Sequence, residues 1–218
     1  MRIAVLLGGC GLYDGTDVHD AVLTLLALEG HGEKPLLVAP AIRQDRTIDH
    51  LTGDEVPGEA RDVLSESARL ARGRIQSLAE CRPADLEALI IPGGYGPAVN
   101  FSTGFARLGA PRRIVPEIAA FVGHFLDSRK PIGLVGLGEI PVRTILGQEM
   151  ESPPSPAGPG MPVVDPERRI VHTPGSGGFA RLRDGQAGIE AMVRDVLRLI
   201  DERRAHAAAD APAREAGT

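Results

Sequence analysis

Residues 3–39 read IAVLLGGCGLYDGTDVHDAVLTLLALEGHGEKPLLVA and contain two apolar runs on either side of an amphipathic segment. The first run, Ile3–Leu7, is short and uninterrupted, which is typical of a strand buried on both faces of a sheet. Apolar side chains between Asp17 and Glu29 recur with the 3.6-residue period of a helix. Lys34–Ala39 is a second apolar run. This strand–helix–strand order predicts a parallel sheet covered by helices.

The same alternation continues along the rest of the chain. The further segments predicted to be extended are Thr47–Leu51, Arg74–Leu78, Leu86–Ile91, Pro131–Val135 and Arg169–His172. The further predicted helices are Glu59–Ala71, Ile140–Leu146, Gly185–Arg204 and one within Pro111–Ser128. The predicted fold class is therefore α/β, with a mostly parallel sheet between two layers of helices.

The length of 218 residues suits one domain, which we assign to residues 1–202. Five prolines and two glycines fall in Glu151–Pro162, which predicts a stiff surface loop. The alanine-rich and polar residues 203–218 are expected to form a flexible tail.

Composition excludes several classes of protein. A formal net charge of −5 and 3% aromatic residues argue against a nucleic-acid-binding surface. Apolar stretches are far too short to span a membrane, and the N-terminal run ends too early for a signal peptide. Two cysteines make neither a disulfide framework nor a zinc site, and no metal is expected. We therefore predict a cytoplasmic protein that binds a small molecule.

Ligands of open parallel sheets bind beyond the carboxyl ends of the strands, so the loops there decide function. These loops are Gly8–Gly15, Pro92–Asn100 and Gly136–Pro141. None has the Gly-x-Gly-x-x-Gly spacing of a dinucleotide site, and no cofactor is expected.

The first loop and the helix after it carry several reactive side chains. Cys10 is either an inert buried thiol or a reactive one, whose pKa a nearby helix N-terminus would lower. Asp20 and His19, in the first turn of the helix, are candidate acid–base groups. The alternative role of Asp20, and of Asp17 before it, is compensation of the helix dipole.

The second loop offers a candidate anion site, and the third has a glycine where a nucleophile would stand. Consecutive amides of Gly93 and Gly94 could hold an oxyanion. The third loop has the shape of a nucleophile elbow, but its nucleophile position is Gly136. Glu139 either faces the pocket or pairs with Arg143 four residues later.

Much of the chain resembles the ElbB-like branch of the ThiJ/PfpI superfamily. The segments that carry the resemblance are residues 9–26, 49–53, 61–64, 68–73, 85–96 with Asn100, 130–133 and 170–174. The resemblance implies a flavodoxin-like three-layer sandwich and a homodimer. It also implies a link to glyoxalase-type activity on 2-oxoaldehydes and to isoprenoid metabolism.

The chain departs from that family at the reactive residue. The position of the family's elbow cysteine is Gly136, and the acid that hydrogen-bonds that cysteine falls on Asp20. Chemistry that needs the elbow thiol therefore cannot be carried over. The catalytic candidates that remain are Glu139, Asp20, His19 and Cys10. The substrate-binding candidates are Gly93, Gly94, Tyr95, Tyr13, Asp14, Gly136, Asn100 and His172.

Three functions stay open. The first is a cofactor-independent enzyme that stabilises an enolate or carbanion of a carbonyl-bearing or polyketide-like metabolite, leading to cyclisation, elimination or oxygenation in specialised biosynthesis. The second is a glyoxalase-like lyase that uses Cys10. The third is a ligand-binding pseudoenzyme, which a pairing of Glu139 with Arg143 would favour.

Overall fold

A computed structural model describes residues 2–105, 112–148, 160–177 and 181–210. Its strands are β1 (Ile3–Leu6), β2 (Leu36–Ala39), β3 (Gln76–Ser77), β4 (Ala88–Ile91), β5 (Ser102–Thr103), β6 (Arg113–Ile114), β7 (Ile132–Val135), β8 (Val163–Asp165) and β9 (Ile170–Thr173). Its α-helices are α1 (Val18–Gly30), α2 (Val63–Leu70), α3 (Tyr95–Val99), α4 (Pro116–Asp127), α5 (Glu139–Ile145) and α6 (Leu182–Asp210).

Seven of the strands form one sheet in the order β3-β2-β1-β4-β7-β9-β8. Every pairing in it is parallel except that of β8 with β9. In the centre of the sheet, Ile90 of β4 lies opposite Val5 of β1 and Gly133 of β7. This confirms the predicted α/β class with a mostly parallel sheet, and the fold is flavodoxin-like.

Helices bury both faces of the sheet. On one face, apolar side chains of α1 and α6 pack together, among them Ala21 and Met192. On the other face, α4 contributes Phe121 and Phe125. A Cβ at Gly133 would lie 2.5 Å from the Met192 sulfur, so this glycine allows α6 to pack closely against β7.

The structure differs from the predicted elements in places. Thr47–Leu51 is a turn held by one antiparallel bridge between Ile48 and Glu55, not a strand. Helix α2 begins only at Val63, because the Asp62 carboxylate caps it by accepting the Ser65 amide. The short helix α3 and the strands β5, β6 and β8 lie in segments without a clear apolar period.

The terminal helix is also longer than predicted. It continues to Asp210 and includes residues 203–210, where we expected a flexible tail. Residues 211–218 and most of the proline-rich loop, residues 151–159, lie outside the described residues. No helix in the described ranges is long and apolar enough to cross a membrane.

Candidate functional site

The loops at the carboxyl ends of β1, β4, β7 and β9 surround one cavity of about 390 Å³. All three loops singled out in the sequence contribute to its wall. The residues that line it are Leu12, Asp17, Asp20, Gly94, Tyr95, Gly136, Leu137, Glu139, His172, Pro174 and Gly177. This is the edge of the sheet where ligands of open α/β folds bind.

Asp20 places a buried carboxyl group in this wall. The residue lies in the first turn of α1 and is only 3% exposed. Its Oδ1 accepts the backbone N–H of Ser176 at 2.7 Å. A Cβ at Gly93 or Gly175 would lie 2.3 Å or 2.7 Å from Asp20 Oδ2. The carboxyl group therefore fits only because these two positions carry no side chain.

The environment of Asp20 favours its protonated form. Burial raises the pKa of the Asp20 carboxyl group, and the neighbouring charge of Asp17 acts in the same direction. The hydrogen bond from Ser176 opposes the rise in pKa without cancelling it. A carboxyl group whose pKa is raised towards neutral pH is a better general base than an exposed aspartate.

This raised pKa makes a prediction about stability. Ionising Asp20 destabilises the folded state, so the penalty is absent below about pH 4 and grows as pH rises through the raised pKa. Asparagine cannot ionise, but its oxygen can still accept the Ser176 amide. We expect Asp20→Asn to gain melting temperature relative to wild type as pH rises from about 4 to 8. A difference that stays constant over this range would contradict the assignment.

Gly136 lies opposite Asp20 in a turn with the backbone of a nucleophile elbow. It follows β7 directly, has φ +48° and leads through one 3₁₀ turn into α5. A Cβ at this position would lie 4.0 Å from Asp20 Oδ2 and 3.0 Å from the Pro174 carbonyl oxygen. The strained turn of an elbow is present, but no side chain projects from it.

Glu139, Arg143 and His172 form the polar side of the wall. The Glu139 carboxylate accepts the Arg143 Nε–H within α5. His172 Nε2 donates to the Gly136 carbonyl at 3.3 Å and lies 3.7 Å from Glu139 Oε2. Glu139 therefore both lines the cavity and pairs with Arg143, so the two alternatives left open by the sequence coexist.

His172 is held in its neutral form. Burial lowers the pKa of its imidazole, and the positive charge of Arg143 adds to this, against the influence of Glu139. A neutral imidazole that donates to the Gly136 carbonyl fixes the elbow backbone. The structure thus places His172 at the cavity, as proposed from the sequence.

The structure does not bring Cys10 or His19 into the cavity wall. His19 is exposed, although it directly precedes Asp20. Cys10 lies partly buried near α2, and burial, followed by the charge of Glu66, raises the pKa of its thiol. Of the two alternatives left open for Cys10, these observations favour the inert thiol over a reactive one with a lowered pKa. Burial outweighs any nearby helix N-terminus.

Thiol reactivity should follow these positions. Cys10 and Cys81 both have a pKa raised by burial, so iodoacetamide should label them more slowly than free cysteine at pH 7. A thiol introduced by Gly136→Cys would stand in the turn between β7 and α5 and face the cavity. We expect mass spectrometry to show it reacting about tenfold faster than Cys10. Faster labelling of Cys10 would contradict this arrangement.

Asp14 and Asn100 hold the loops together instead of lining the cavity. The Asn100 amide donates to the carbonyls of Gly8 and Asp14, both at 2.9 Å, and its oxygen accepts the Asp45 amide. Asp14 is 1% exposed, and its Oδ2 accepts the Ile48 amide at 2.8 Å. Both side chains are therefore structural, which corrects their assignment to substrate binding.

Of the tyrosines and glycines proposed to bind substrate, Gly94 and Tyr95 line this cavity, and Gly93 is not among the residues that line it. Tyr95 lines the cavity, whereas Tyr13 lines an adjoining cleft. The amides of Tyr95 and Gly96 are taken by loop carbonyls. Among the described residues, no loop carbonyl accepts the amides of Gly93 or Gly94. Within the same ranges, no three His, Cys, Asp or Glu side chains are grouped to hold a metal ion.

Sequence reasoning missed Asp17, Ser176 and Pro174. Asp17 caps α1 through its side chain and faces the cavity at the same time. Ser176 and Pro174 belong to the loop after β9, which runs parallel to β7. The predicted strand Arg169–His172 already indicated a further loop at this edge of the sheet.

Comparison with known proteins identifies close relatives. No protein-family model matches the chain. A rat ES1 protein homolog is 35% identical over 223 residues, covering 91% of this chain and 84% of its own length. The human glutamine amidotransferase-like class 1 domain-containing protein 3 is also 35% identical over 223 residues, covering 91% of this chain and 83% of its own.

These relatives overturn one prediction. The rat and human proteins are both mitochondrial, and so is a zebrafish ES1 protein that is 32% identical over 143 residues. The cytoplasmic location predicted from the sequence is therefore wrong.

Solved structures with the same fold include proteins described as amidotransferase-like and as DJ-1/ThiJ/PfpI-like. An isoprenoid biosynthesis protein with an amidotransferase-like domain from Ehrlichia chaffeensis superposes with a TM-score of 0.82 at 30% identity, covering 91% of this chain and 99% of its own. A DJ-1/ThiJ/PfpI-like and ferritin-like two-domain protein from Anabaena variabilis shares the fold, with a TM-score of 0.52 at 13% identity. The chain belongs to the family of ES1 proteins, which have a glutamine amidotransferase-like class 1 domain.

Proposed function

We propose that this protein is a cofactor-independent enzyme that transfers a proton at the α carbon of a small carbonyl compound. The observation that carries the proposal is the Asp20 carboxyl group. It is buried, has a raised pKa and faces a cavity beside Gly136. Perturbed carboxyl groups in a cleft are typical of acid–base sites.

In the proposed reaction, ionised Asp20 takes a proton from the carbon next to the carbonyl group. The C–H bond breaks, its electron pair enters the enolate, and the proton moves to the carboxylate. The amides of Gly93 and Gly94 would donate to the enolate oxygen. Return of the proton to the same carbon gives exchange, and its return to another atom gives isomerisation. Attack of the enolate on an electrophilic carbon of the same molecule gives cyclisation, and departure of a leaving group with its electron pair gives elimination.

The missing side chain at Gly136 would make room for the substrate. An elbow cysteine would occupy the space next to Asp20 Oδ2, where a Cβ would lie only 4.0 Å away. Glu139 is the second candidate for proton transfer, because it lines the cavity while its carboxylate pairs with Arg143. His172 acts as a positioning residue through the Gly136 carbonyl.

A ligand-binding pseudoenzyme is the second candidate. It is favoured by the Glu139–Arg143 pair, which gives Glu139 a structural role, and by the absence of a side chain at Gly136. A glyoxalase-like reaction of Cys10 is not retained, because Cys10 does not line the cavity and its pKa is raised.

Exchange of α-protons for deuterium separates the two candidates. Hydroxyacetone, dihydroxyacetone and acetophenone would each be incubated with the protein in D₂O and followed by proton NMR. An enzyme should accelerate loss of the α-proton signal of at least one of them. Binding of these compounds without any accelerated exchange would support the pseudoenzyme and contradict the proposal.

We also propose an ElbB-like branch, a biosynthetic role and a homodimer. The sequence motifs that resemble the ElbB-like branch support the first, and the isoprenoid biosynthesis protein of Ehrlichia chaffeensis, at 30% identity, supports the second. Val18, Val22 and Leu26 leave 40%, 51% and 54% of their surface exposed along α1, which would suit a partner subunit. Sedimentation equilibrium measures the mass against 23.0 kDa per chain.

A further inference from the structure

A second cavity of about 340 Å³ adjoins the one that contains Asp20. The residues that line it are Tyr13, Arg46, Ile48, Gly53, Tyr95, Val99 and Phe105. Tyr95 lines both cavities, so the two lie side by side. We name this second cavity the aromatic cleft.

The aromatic cleft concentrates the few aromatic side chains of the protein. The chain has five phenylalanines, two tyrosines and no tryptophan. Both tyrosines and Phe105 lie in the cleft. Tyr13 and Tyr95 leave 44% and 42% of their surface exposed, whereas Phe101, Phe121 and Phe125 are buried in the core. Exposed rings that face a cavity offer surfaces for stacking against a flat apolar group.

Hydrogen bonds and ring contacts hold the two tyrosines in place. The Tyr95 amide donates to the Leu12 carbonyl at 2.8 Å, and the Leu12 amide donates to His50 Nε2 at 3.0 Å. The His50 ring lies beside Tyr13, with centroids 5.2 Å apart, and Phe105 packs edge-on against Tyr95 at 6.4 Å. The cleft is thus built by three loops that contact one another.

The charged group of the cleft does not suggest an anion site. Arg46 donates to the Asp45 carboxylate through Nε at 3.2 Å and Nη2 at 2.9 Å. Its charge is therefore compensated within its own loop. The remaining lining is apolar or aromatic, which selects for an uncharged ring.

We infer that the substrate of the Asp20 site carries an aryl group, which binds in the aromatic cleft while its carbonyl group reaches Asp20. That the aryl group belongs to the same molecule as the carbonyl group at Asp20 rests on the proposed function. Because Tyr95 lines both cavities, the two lie side by side, which favours one extended ligand over two separate ones.

Binding of a matched pair of ketones tests the aryl preference without relying on catalysis. 4-Phenyl-2-butanone and 2-butanone differ only by a phenyl group, and calorimetry would measure their dissociation constants. We expect the phenyl ketone to bind at least about tenfold more tightly, given the stacking of aromatic pairs. The preference should fall to about threefold or less in Tyr13→Leu and Tyr95→Leu, and Tyr→Phe variants should keep it.

Fluorescence gives a second measurement, which uses the wild-type protein and so does not depend on the folding of a variant. Because both tyrosines lie in the cleft and tryptophan is absent, tyrosine emission of the wild type reports on this site. Titration with 4-phenyl-2-butanone should change it more than 2-butanone does, because only one of the two tyrosines, Tyr95, also lines the cavity that contains Asp20. Equal affinity for both ketones, or a preference that survives both leucine variants, would overturn the inference. Asp20→Asn should keep the preference for the phenyl ketone, because the aryl group binds away from Asp20. A loss of aryl preference therefore tests this inference, whereas a lack of catalysed exchange tests the proposed function.

Discussion

Replacing Asp20 by asparagine is expected to lower the protein-catalysed rate of α-proton exchange by about 10²–10⁴-fold. The amide keeps the size of the side chain and can still accept the Ser176 N–H, which Asp20 Oδ1 accepts at 2.7 Å. It cannot take up a proton from carbon. The loss should therefore appear in the rate constant of exchange and leave the affinity for the ketone within about threefold.

An acidic residue outside the cavity serves as the matched control. Asp127 is exposed at the end of α4, and Asp127→Asn changes the net charge by the same amount. We expect this variant to exchange α-protons at the wild-type rate. Equal losses in the two variants would indicate an effect of charge or of stability and would count against Asp20 as the proton acceptor.

Replacing Gly94 by alanine is expected to destabilise the fold by about 3 kcal/mol or more. Gly94 precedes α3 with φ 91° and ψ 170°, a region that is open only to glycine. A Cβ here would lie 2.3 Å from the Asp17 amide nitrogen and 2.5 Å from the Gly15 carbonyl oxygen. Both atoms belong to the backbone and cannot rotate away, so the loops that surround the site must separate.

Gly73→Ala separates the cost of a positive φ from the cost of a steric clash with the neighbouring backbone. Gly73 also has a positive φ, 78°, but a Cβ there would meet nothing within 4 Å. It should cost only about 1 kcal/mol, from the backbone conformation alone. Urea unfolding of both variants measures the difference in the free energy of unfolding. Similar values for the two would contradict close packing of Gly94 against the first loop.

The sheet could be predicted because its signals are local. Short apolar runs between amphipathic helices predict buried parallel strands, and the carboxyl ends of such strands meet at one edge. For this reason the loops containing Leu12, Gly94 and Gly136 could be assigned to one cavity before the structure was known.

The environment of single side chains could not be predicted in the same way. Asp20 accepts a hydrogen bond from Ser176, which is 156 residues away in the chain. His19 and Asp20 are adjacent in sequence, but successive helical residues point in directions about 100° apart. One is therefore exposed and the other buried.

Cys10 shows the same limit. It lies in a loop that contributes Leu12 to the cavity, yet the structure places it near Glu66 of α2. The glycines on either side, Gly9 and Gly11, have φ of 100° and 153° and allow abrupt changes of chain direction. Glycine-rich loops leave the direction of the intervening side chain open to tertiary contacts.

The pH dependence of α-proton exchange tests the role of Asp20 most directly. Because the ionised carboxylate is the base, the rate for wild type should rise with pH through the raised pKa of Asp20, above about pH 4, where exposed aspartates titrate. Asp20→Asn should lack both this rise and the catalysed rate. A wild-type rise that persists in Asp20→Asn, at the same rate and the same midpoint, would contradict the account.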